Sequence, residues 1–136
     1  MKKLLLLIGV CFALCSCVVQ YSQTTYLADY RPYSAEGFTI SPSSSGFTYE
    51  SVGDLSIKFI KGVKKGYVNE DADDWRVENI FNPSYEYMVS EMVKEAKALG
   101  ADALLNFNIT PIIKRSKYGE TIDGYIASGF AAKLNK

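Results

Sequence analysis

The chain contains no histidine, and its three cysteines, Cys11, Cys15 and Cys17, all lie within the first seventeen of 136 residues. Everything after Cys17 therefore lacks the imidazole and thiol groups that supply most zinc ligands, all disulfides and all Cys- or His-based catalysis. An excess of charge is also missing, because 15 Lys and Arg balance 15 Asp and Glu. We accordingly predict no enzyme, no catalytic residue, no metal, no cofactor and no nucleic acid partner.

Residues 1–16 have the organisation of an export signal. Lys2 and Lys3 precede an eleven-residue stretch, Leu4 to Leu14, of apolar, Gly and Cys residues. This stretch is shorter than the roughly 20 residues that span a bilayer, but it fits the apolar part of a signal peptide. The next residues, Leu14-Cys15-Ser16-Cys17, resemble the bacterial lipobox, in which Leu and two small residues precede an invariant Cys.

The lipoprotein resemblance implies that the Cys17 sulfur carries a thioether-linked diacylglycerol. It also implies cleavage between Ser16 and Cys17, after which Cys17 is the acylated amino terminus. Cys15 is the competing acceptor, and we favour Cys17 because small Ser16 precedes it, whereas bulky Leu14 precedes Cys15. Two or three acyl chains, at about 0.8 kcal/mol per buried methylene, anchor a protein to a membrane. A plain signal peptide, leaving a soluble secreted protein, is the alternative.

The resemblance to lipoproteins also implies a location in the bacterial cell envelope. Val18, in the second position of the processed chain, permits transfer to an outer membrane, where the protein would face the periplasm. Residues 17–37 are predicted to form the lipidated N-terminus and a tether, because they are rich in Tyr, Ser, Thr and Gln. Residues 38–136 are predicted to form one domain with a core at about 51–136.

Several tyrosines in and near the tether exceed what a solvated linker needs. A glycan- or partner-binding surface is one interpretation, and packing on the protein's own domain is the other, which we favour. Short strands are predicted at Phe38–Ile40 and Phe47–Tyr49. The tyrosines concerned are Tyr21, Tyr26, Tyr30, Tyr33 and Tyr49.

The segment from Leu55 to Lys61 alternates apolar and polar side chains, which predicts a half-exposed strand. A bend bracketed by Gly62 and Gly66 follows. Nearby lysines suggest either a phosphate or lipid-headgroup patch or, as we prefer, a solvated strand edge. They are Lys58, Lys61, Lys64 and Lys65.

An acidic segment at 70–78 carries four carboxylates just before Trp75. A cation site is one interpretation, but the spacing lacks the sixth-position Gly of an EF-hand loop, and we favour a solvated loop. The carboxylates are Glu70, Asp71, Asp73 and Asp74.

A helix is predicted to begin at the Asn82-Pro83 cap and to end at Gly100. Its apolar stripe comprises Met88, Met92, Ala96 and Leu99, flanked by Val89 and Val93.

The strand that follows this helix is predicted to stop at Pro111. A polar turn region at 114–123 and a second long strand at 124–134 come after it. The resulting order of strand, helix, strand and strand predicts an α+β fold, in which a small antiparallel or mixed sheet packs one face on the helix. The inward residues of the first strand are predicted to be Ala103, Leu105, Phe107 and Ile109.

With the helix, its Leu99–Ala103 ending and the closing Ala127–Ala132 segment, the chain resembles the YbjQ-like group of small α+β domains. The domain of the stress-sensing lipoprotein of the Rcs phosphorelay is similar. The resemblance covers about 51–136 and implies the same fold. Some members of the group are similar to ring-forming oligomers, which implies that the Ala127–Ala132 strand could serve as an assembly edge.

Together these features predict a membrane-anchored lipoprotein with a non-enzymatic domain for protein–protein interaction or self-assembly. A cell-surface protein that contacts glycans or a host is the alternative. A hydrolase is a weaker alternative, and its candidate carboxylates are Asp102, Glu120 and Asp123, which lie near predicted strand ends.

Overall fold

The computed structural model describes residues 21, 23, 25–68 and 79–135 of the chain. Cys17 with its leader and the acidic segment at 70–78 lie outside these residues, so the lipidation and cation hypotheses stay predictions. Within the described ranges, no helix is both long enough and apolar enough to cross a membrane.

A mixed four-stranded sheet forms the body of the protein, with strand order β1-β5-β6-β2. Strand β1 is parallel to β5, the other neighbours are antiparallel, and β3 and β4 form a separate pair. The predicted α+β class and the order of strand, helix, strand and strand are confirmed. The elements are α1 (Arg31–Ala35), β1 (Thr39–Ile40), β2 (Tyr49–Ile60), β3 (Gly62–Val63), β4 (Ile80–Phe81), α2 (Tyr85–Ala98), β5 (Ala103–Ser116) and β6 (Gly119–Leu134).

Helix α2 covers one face of the sheet with the apolar stripe that its periodicity predicts, although Leu99 is 57% exposed and is not part of it. The predicted Asn82-Pro83 cap is wrong, because the Ser84 side chain accepts the hydrogen bond from the Tyr87 backbone N–H at 3.2 Å. Gly100, with φ +80°, ends the helix as predicted. The buried residues of α2 are Met88, Val89, Met92, Val93 and Ala96.

A β-bulge in β5 determines which side chains face α2. Strand β5 advances by three residues from Leu105 to Asn108 while β6 advances by two. Asn106 accommodates the extra residue with φ +52°, a conformation that Asn tolerates better than most residues. Leu104 and Phe107 therefore pack under α2, whereas Leu105 lies in a smaller apolar cluster on the other face. The predicted single inward face of 103–109 is wrong for this reason.

Strands β5 and β6 continue beyond the body of the sheet as a two-stranded ribbon. The predicted stop at Pro111 is wrong, because β1 pairs only with Ala103 and Leu104 and leaves the rest of that side of β5 as an edge, where proline is tolerated. The predicted turn region at 114–123 is likewise mostly strand, and only residues 117–118 turn.

The two ends of the sheet differ. At one end, called here the turn end, β2 finishes at Ile60 beside Gly124 and the β5–β6 ribbon extends to its turn. Helix α2 also begins at this end, since Tyr87 stacks edge-on against Phe59. At the opposite end α2 finishes and β5 begins, and the Thr39 N–H donates to the Asp102 carbonyl oxygen at 2.9 Å.

Candidate functional site

The three carboxylates considered for hydrolysis do not meet. Asp102 lies at the opposite end of the sheet, where its Oδ1 accepts from the Leu134 backbone N–H at 2.8 Å. Glu120 and Asp123 lie at the turn end, and Glu120 is paired with Arg115 at 2.6 Å. The prediction that they could form a catalytic pair is therefore wrong for Asp102 with either partner. Among the described residues, no group of three His, Cys, Asp or Glu side chains could hold a metal ion.

A cleft of about 460 Å³ opens at the turn end, between the end of β2, the β3–β4 pair and the first turn of α2. Its wall is an aromatic cluster in which Tyr87 contacts Phe81 at 4.9 Å and Phe59 at 6.1 Å between ring centroids, both edge-to-face. Tyr67 adds a further edge-to-face contact with Phe81 at 5.0 Å. Such aromatic pairs each stabilise a fold by about 0.5–1.5 kcal/mol beyond the burial of their area, so these contacts stabilise the packing of the wall.

Lys64 is held against this aromatic wall. Its Nζ lies 4.2 Å from the Phe81 ring centroid and 4.5 Å from that of Tyr87, within cation–π range. The same Nζ donates to the Tyr87 hydroxyl at 3.2 Å. Lys58 and Lys65 line the cleft around it. The arrangement presents positive charge on an aromatic surface, which suits an anionic ligand or surface.

The lysines of the turn end have no acidic partner within the described ranges. The described ion pairs join other cations to carboxylates, including Arg115 to Glu120 at 2.6 Å in the ribbon, Arg31 to Asp29 at 2.7 Å, and Lys97 to Glu36 at 2.7 Å at the opposite end. Arg31 also donates to Asp29 through its side chain and backbone, and these bonds lower the pKa of Asp29 to about 2. Lys58, Lys64 and Lys65 thus line one cleft at the turn end, and the interpretation of these lysines as a phosphate or lipid-headgroup patch stays a prediction.

The N-terminal segment is attached to α2 by a pair of tyrosines. The hydroxyls of Tyr30 and Tyr85 lie 2.6 Å apart, and the Tyr30 ring packs edge-on against Phe107 at 6.3 Å. Burial first, and the hydrogen bond to Tyr30 second, raise the pKa of Tyr85 above its usual range. Burial likewise raises the pKa of Tyr33, which packs on the core. These tyrosines adhere to their own domain, and α1 lies inside the segment predicted as tether.

The sheet face away from α2 carries a polar groove that sequence reasoning missed. It runs between β2 and β5 past Asp54, Ser56 and Asn106. The Ser128 hydroxyl donates to Asn108 Oδ1 at 3.0 Å, so its hydrogen bond goes to an amide and not to a base. The alternation of 103–109 also places Asn106 on this face, but the groove itself depends on how β2, β6 and β5 pair, which the sequence of a single strand does not indicate. The groove therefore offers hydrogen-bonding side chains from three strands.

No protein-family model matches the sequence, and no curated protein matches it. Among solved structures, the fold is similar to the crystal structure of a protein of unknown function from Pediococcus pentosaceus ATCC 25745 that belongs to the DUF74 family. The two chains are 11% identical and superpose with a TM-score of 0.48, over 73% of this chain and 99% of the other. Similarity at this level assigns neither a family nor an activity, so the resemblance to the YbjQ-like group stays a prediction.

Proposed function

We propose that this protein is a bacterial envelope lipoprotein, anchored through lipid on Cys17, whose α+β domain is a non-enzymatic interaction module. The observation that carries the proposal is the Leu14-Cys15-Ser16-Cys17 sequence behind a short apolar run. Its placement on an outer membrane, facing the periplasm, is supported by Val18 alone. The separation of Asp102 from Glu120 and Asp123 supports the non-enzymatic part.

The surface best suited to pairing with a partner, or with a second copy, is the outer edge of β2. This strand has twelve residues and pairs with β6 on one side, while its other side meets no strand among the described residues. An edge of this length can accept an added strand through its backbone groups. The assembly edge implied for Ala127–Ala132 is wrong, because that segment of β6 lies between β5 and β2.

The anchor is tested by mass spectrometry of the protein extracted from its own membranes. We expect Cys17 to carry diacylglycerol and to be the amino terminus, and the Cys17→Ala chain to lose this modification. A bare Cys17 thiol, or a leader still attached, would refute the proposal.

The interaction module is tested by affinity isolation of the lipidated chain from its own envelope. The mass of the isolated complex in detergent then shows whether a partner or a second copy is bound. Val52→Lys places a charge in the edge strand β2 and should abolish a complex formed through that edge. Leu99→Lys makes the same kind of change at an exposed aliphatic residue away from β2, and is the control. A complex that survives V52K but not L99K would exclude the β2 edge.

A cell-surface role is the second candidate, and the exposure of Tyr21 and Tyr26, at 86% and 90%, favours it. Aromatic side chains that remain exposed beside a tether are available to stack on sugars. Antibody staining of intact cells distinguishes the two candidates, because a chain facing the periplasm is stained only after the outer membrane is opened.

A further inference from the structure

We propose that two copies of this chain pair through the outer edges of their β2 strands, antiparallel and with Ser56 opposite Ser56. The two four-stranded sheets then become continuous across a two-fold axis. This inference rests on the proposed interaction module, identifies its partner as a second copy and fixes the register of the pairing. Its support comes from the backbone groups at this edge, the order of charges along it and the apolar side chains beside it.

Strand β2 presents backbone groups on its outer side at every second residue. The Lys61 N–H donates to the Asp123 carbonyl oxygen at 3.4 Å, and the Phe59 carbonyl oxygen lies against Gly124, so both groups point toward β6. Because these directions alternate along an antiparallel strand, the residues between point outward. No strand pairs with them among the described residues, and they can exchange hydrogen bonds with an added strand. The outward groups are those of Asp54, Ser56, Lys58 and Ile60.

A β-bulge limits pairing to the second half of this edge. Strand β2 advances by two residues from Ser51 to Gly53 while β6 advances by one. A bulge twists the strand and disturbs its ladder, which guards an edge against unwanted pairing. From Asp54 to Ile60 the ladder with β6 is unbroken. We therefore place the contact with the second copy at residues 54–60.

The charges of this segment select one register. With Ser56 opposite Ser56, Asp54 of each copy lies opposite Lys58 of the other, which makes two pairs of opposite charge. Outward groups must meet outward groups, so the copies can slide only by steps of two residues. A shift of two residues separates each charge from its opposite, and a shift of four places Asp54 opposite Asp54 or Lys58 opposite Lys58. Opposite charges directly across a ladder stabilise it and like charges destabilise it.

The same register brings apolar side chains together on both faces of the sheet. Leu55 lies opposite Ile57 of the second copy, and both are half-buried residues that pack on the main core under α2. They form non-hydrogen-bonded pairs, in which the Cα atoms are only about 4.5 Å apart. Ile60, which is 46% exposed, comes level with Val52 of the second copy, which is 37% exposed. Pairing therefore removes apolar surface from water as well as joining backbone groups.

The register is tested by oxidative cross-linking of the lipidated full chain in its own membranes. The processed chain keeps no cysteine except the proposed thioether-linked Cys17, so Ser56→Cys supplies one free thiol. Opposite residues in a hydrogen-bonded pair have Cα atoms about 5.5 Å apart, which a disulfide spans. Ser51→Cys is the matched control, because Ser51 is another exposed serine of β2 whose two copies would lie roughly 30 Å apart. We expect S56C to form a linked dimer several-fold more efficiently than S51C.

The charge pairing is tested by exchanging the two charges. Asp54→Lys places two cations opposite each other, and Lys58→Asp places two anions opposite each other. Each single variant converts two attractive pairs into repulsive ones and should lower the association constant in detergent, measured by sedimentation equilibrium, by roughly tenfold. D54K combined with K58D restores opposite charges and should restore most of the association. Both side chains are exposed, so circular dichroism should show the same fold in all three variants.

Equal cross-linking of S51C and S56C would overturn this register, and a double variant as weak as the single ones would overturn the charge pairing. A chain that stays monomeric while its β2 edge binds a different envelope protein would overturn this inference and leave the proposed interaction module intact. An unmodified Cys17 would refute the proposed anchor, whereas the exchange of Asp54 and Lys58 would still test the pairing.

Discussion

Gly124 offers a sharp test of the packing between β6 and β2. A Cβ atom at this position would overlap the backbone carbonyl oxygen of Phe59 and would lie 3.0 Å from Ile60 Cδ1. Ile60 can rotate, but the carbonyl belongs to the neighbouring strand and cannot move without displacing β2. Gly124→Ala should therefore widen the β2–β6 ladder where β2 ends.

The expected magnitude is the balance of two effects. Forcing a methyl group into a packed site costs about 1–3 kcal/mol, and more where backbone must move. Replacing Gly by Ala also removes freedom from the unfolded chain, which stabilises by about 0.4–1 kcal/mol. We expect G124A to lower the free energy of unfolding by roughly 1–2.5 kcal/mol, and the melting temperature by roughly 5–15 °C.

Gly62→Ala is the matched control, because Gly62 also lies in a strand at the turn end, yet an added Cβ there meets no atom within 4 Å. Thermal unfolding of both variants is followed by circular dichroism in mild detergent. We expect a lower melting temperature for G124A and a slightly higher or unchanged melting temperature for G62A. If G124A is insoluble while G62A is soluble, this result also ranks G124A as the less stable variant. Equal melting temperatures would refute the proposed clash.

Three other changes test the core, the helix cap and the contact between Tyr85 and Tyr30. Met92→Ala should lower the free energy of unfolding by about 2–5 kcal/mol in urea titrations, because Met92 is fully buried, whereas Leu99→Ala should cost less than about 0.5 kcal/mol. Ser84→Ala should cost about 1 kcal/mol by the same measurement and Asn82→Ala much less, since Ser84 accepts the capping bond; the reverse order would contradict that cap. Because the pKa of Tyr85 is raised in the folded state, its contribution is complete below the unfolded pKa near 10 and is lost as the pH rises further, and Tyr85→Phe should flatten this alkaline loss in unfolding measured against pH.

Local patterns predict the elements of this fold better than they predict its register. The stripe of α2 and the Gly100 ending follow from helical spacing and from the tolerance of glycine for the left-handed conformation, and both are confirmed except at Leu99, which is exposed. The faces of β5 do not follow, because one additional residue at Asn106 reverses the alternation. A bulge is a property of two paired strands, and a single strand's sequence gives no sign of its partner's register.

The candidate surfaces show the same division between local and long-range information. The lysines at 58–65 are visible in the sequence because they are close together in it. Their aromatic wall is not, because Phe59 and Tyr87 meet only after the chain has folded. The predicted strand end at Pro111 is wrong because the effect of proline depends on whether its side of the strand is paired, and β1 is too short to reach it.

The hydroxyl contact between Tyr30 and Tyr85 is a mechanically weak point, which would break under force before the sheet unfolds. If Cys17 is anchored as proposed, a force on the N-terminal segment reaches Tyr30 and the five-residue helix α1, which has no buried residues, before it reaches the sheet. Detachment of the eight residues from Tyr30 to Gly37 would lengthen the extended N-terminal segment by about 25–30 Å while the sheet stayed intact. Optical-tweezers traces should show this extension as a small step at a force below that of the main unfolding event. Tyr30→Phe should lower the force at which the small step occurs. A single unfolding event with no earlier step would contradict this weak point.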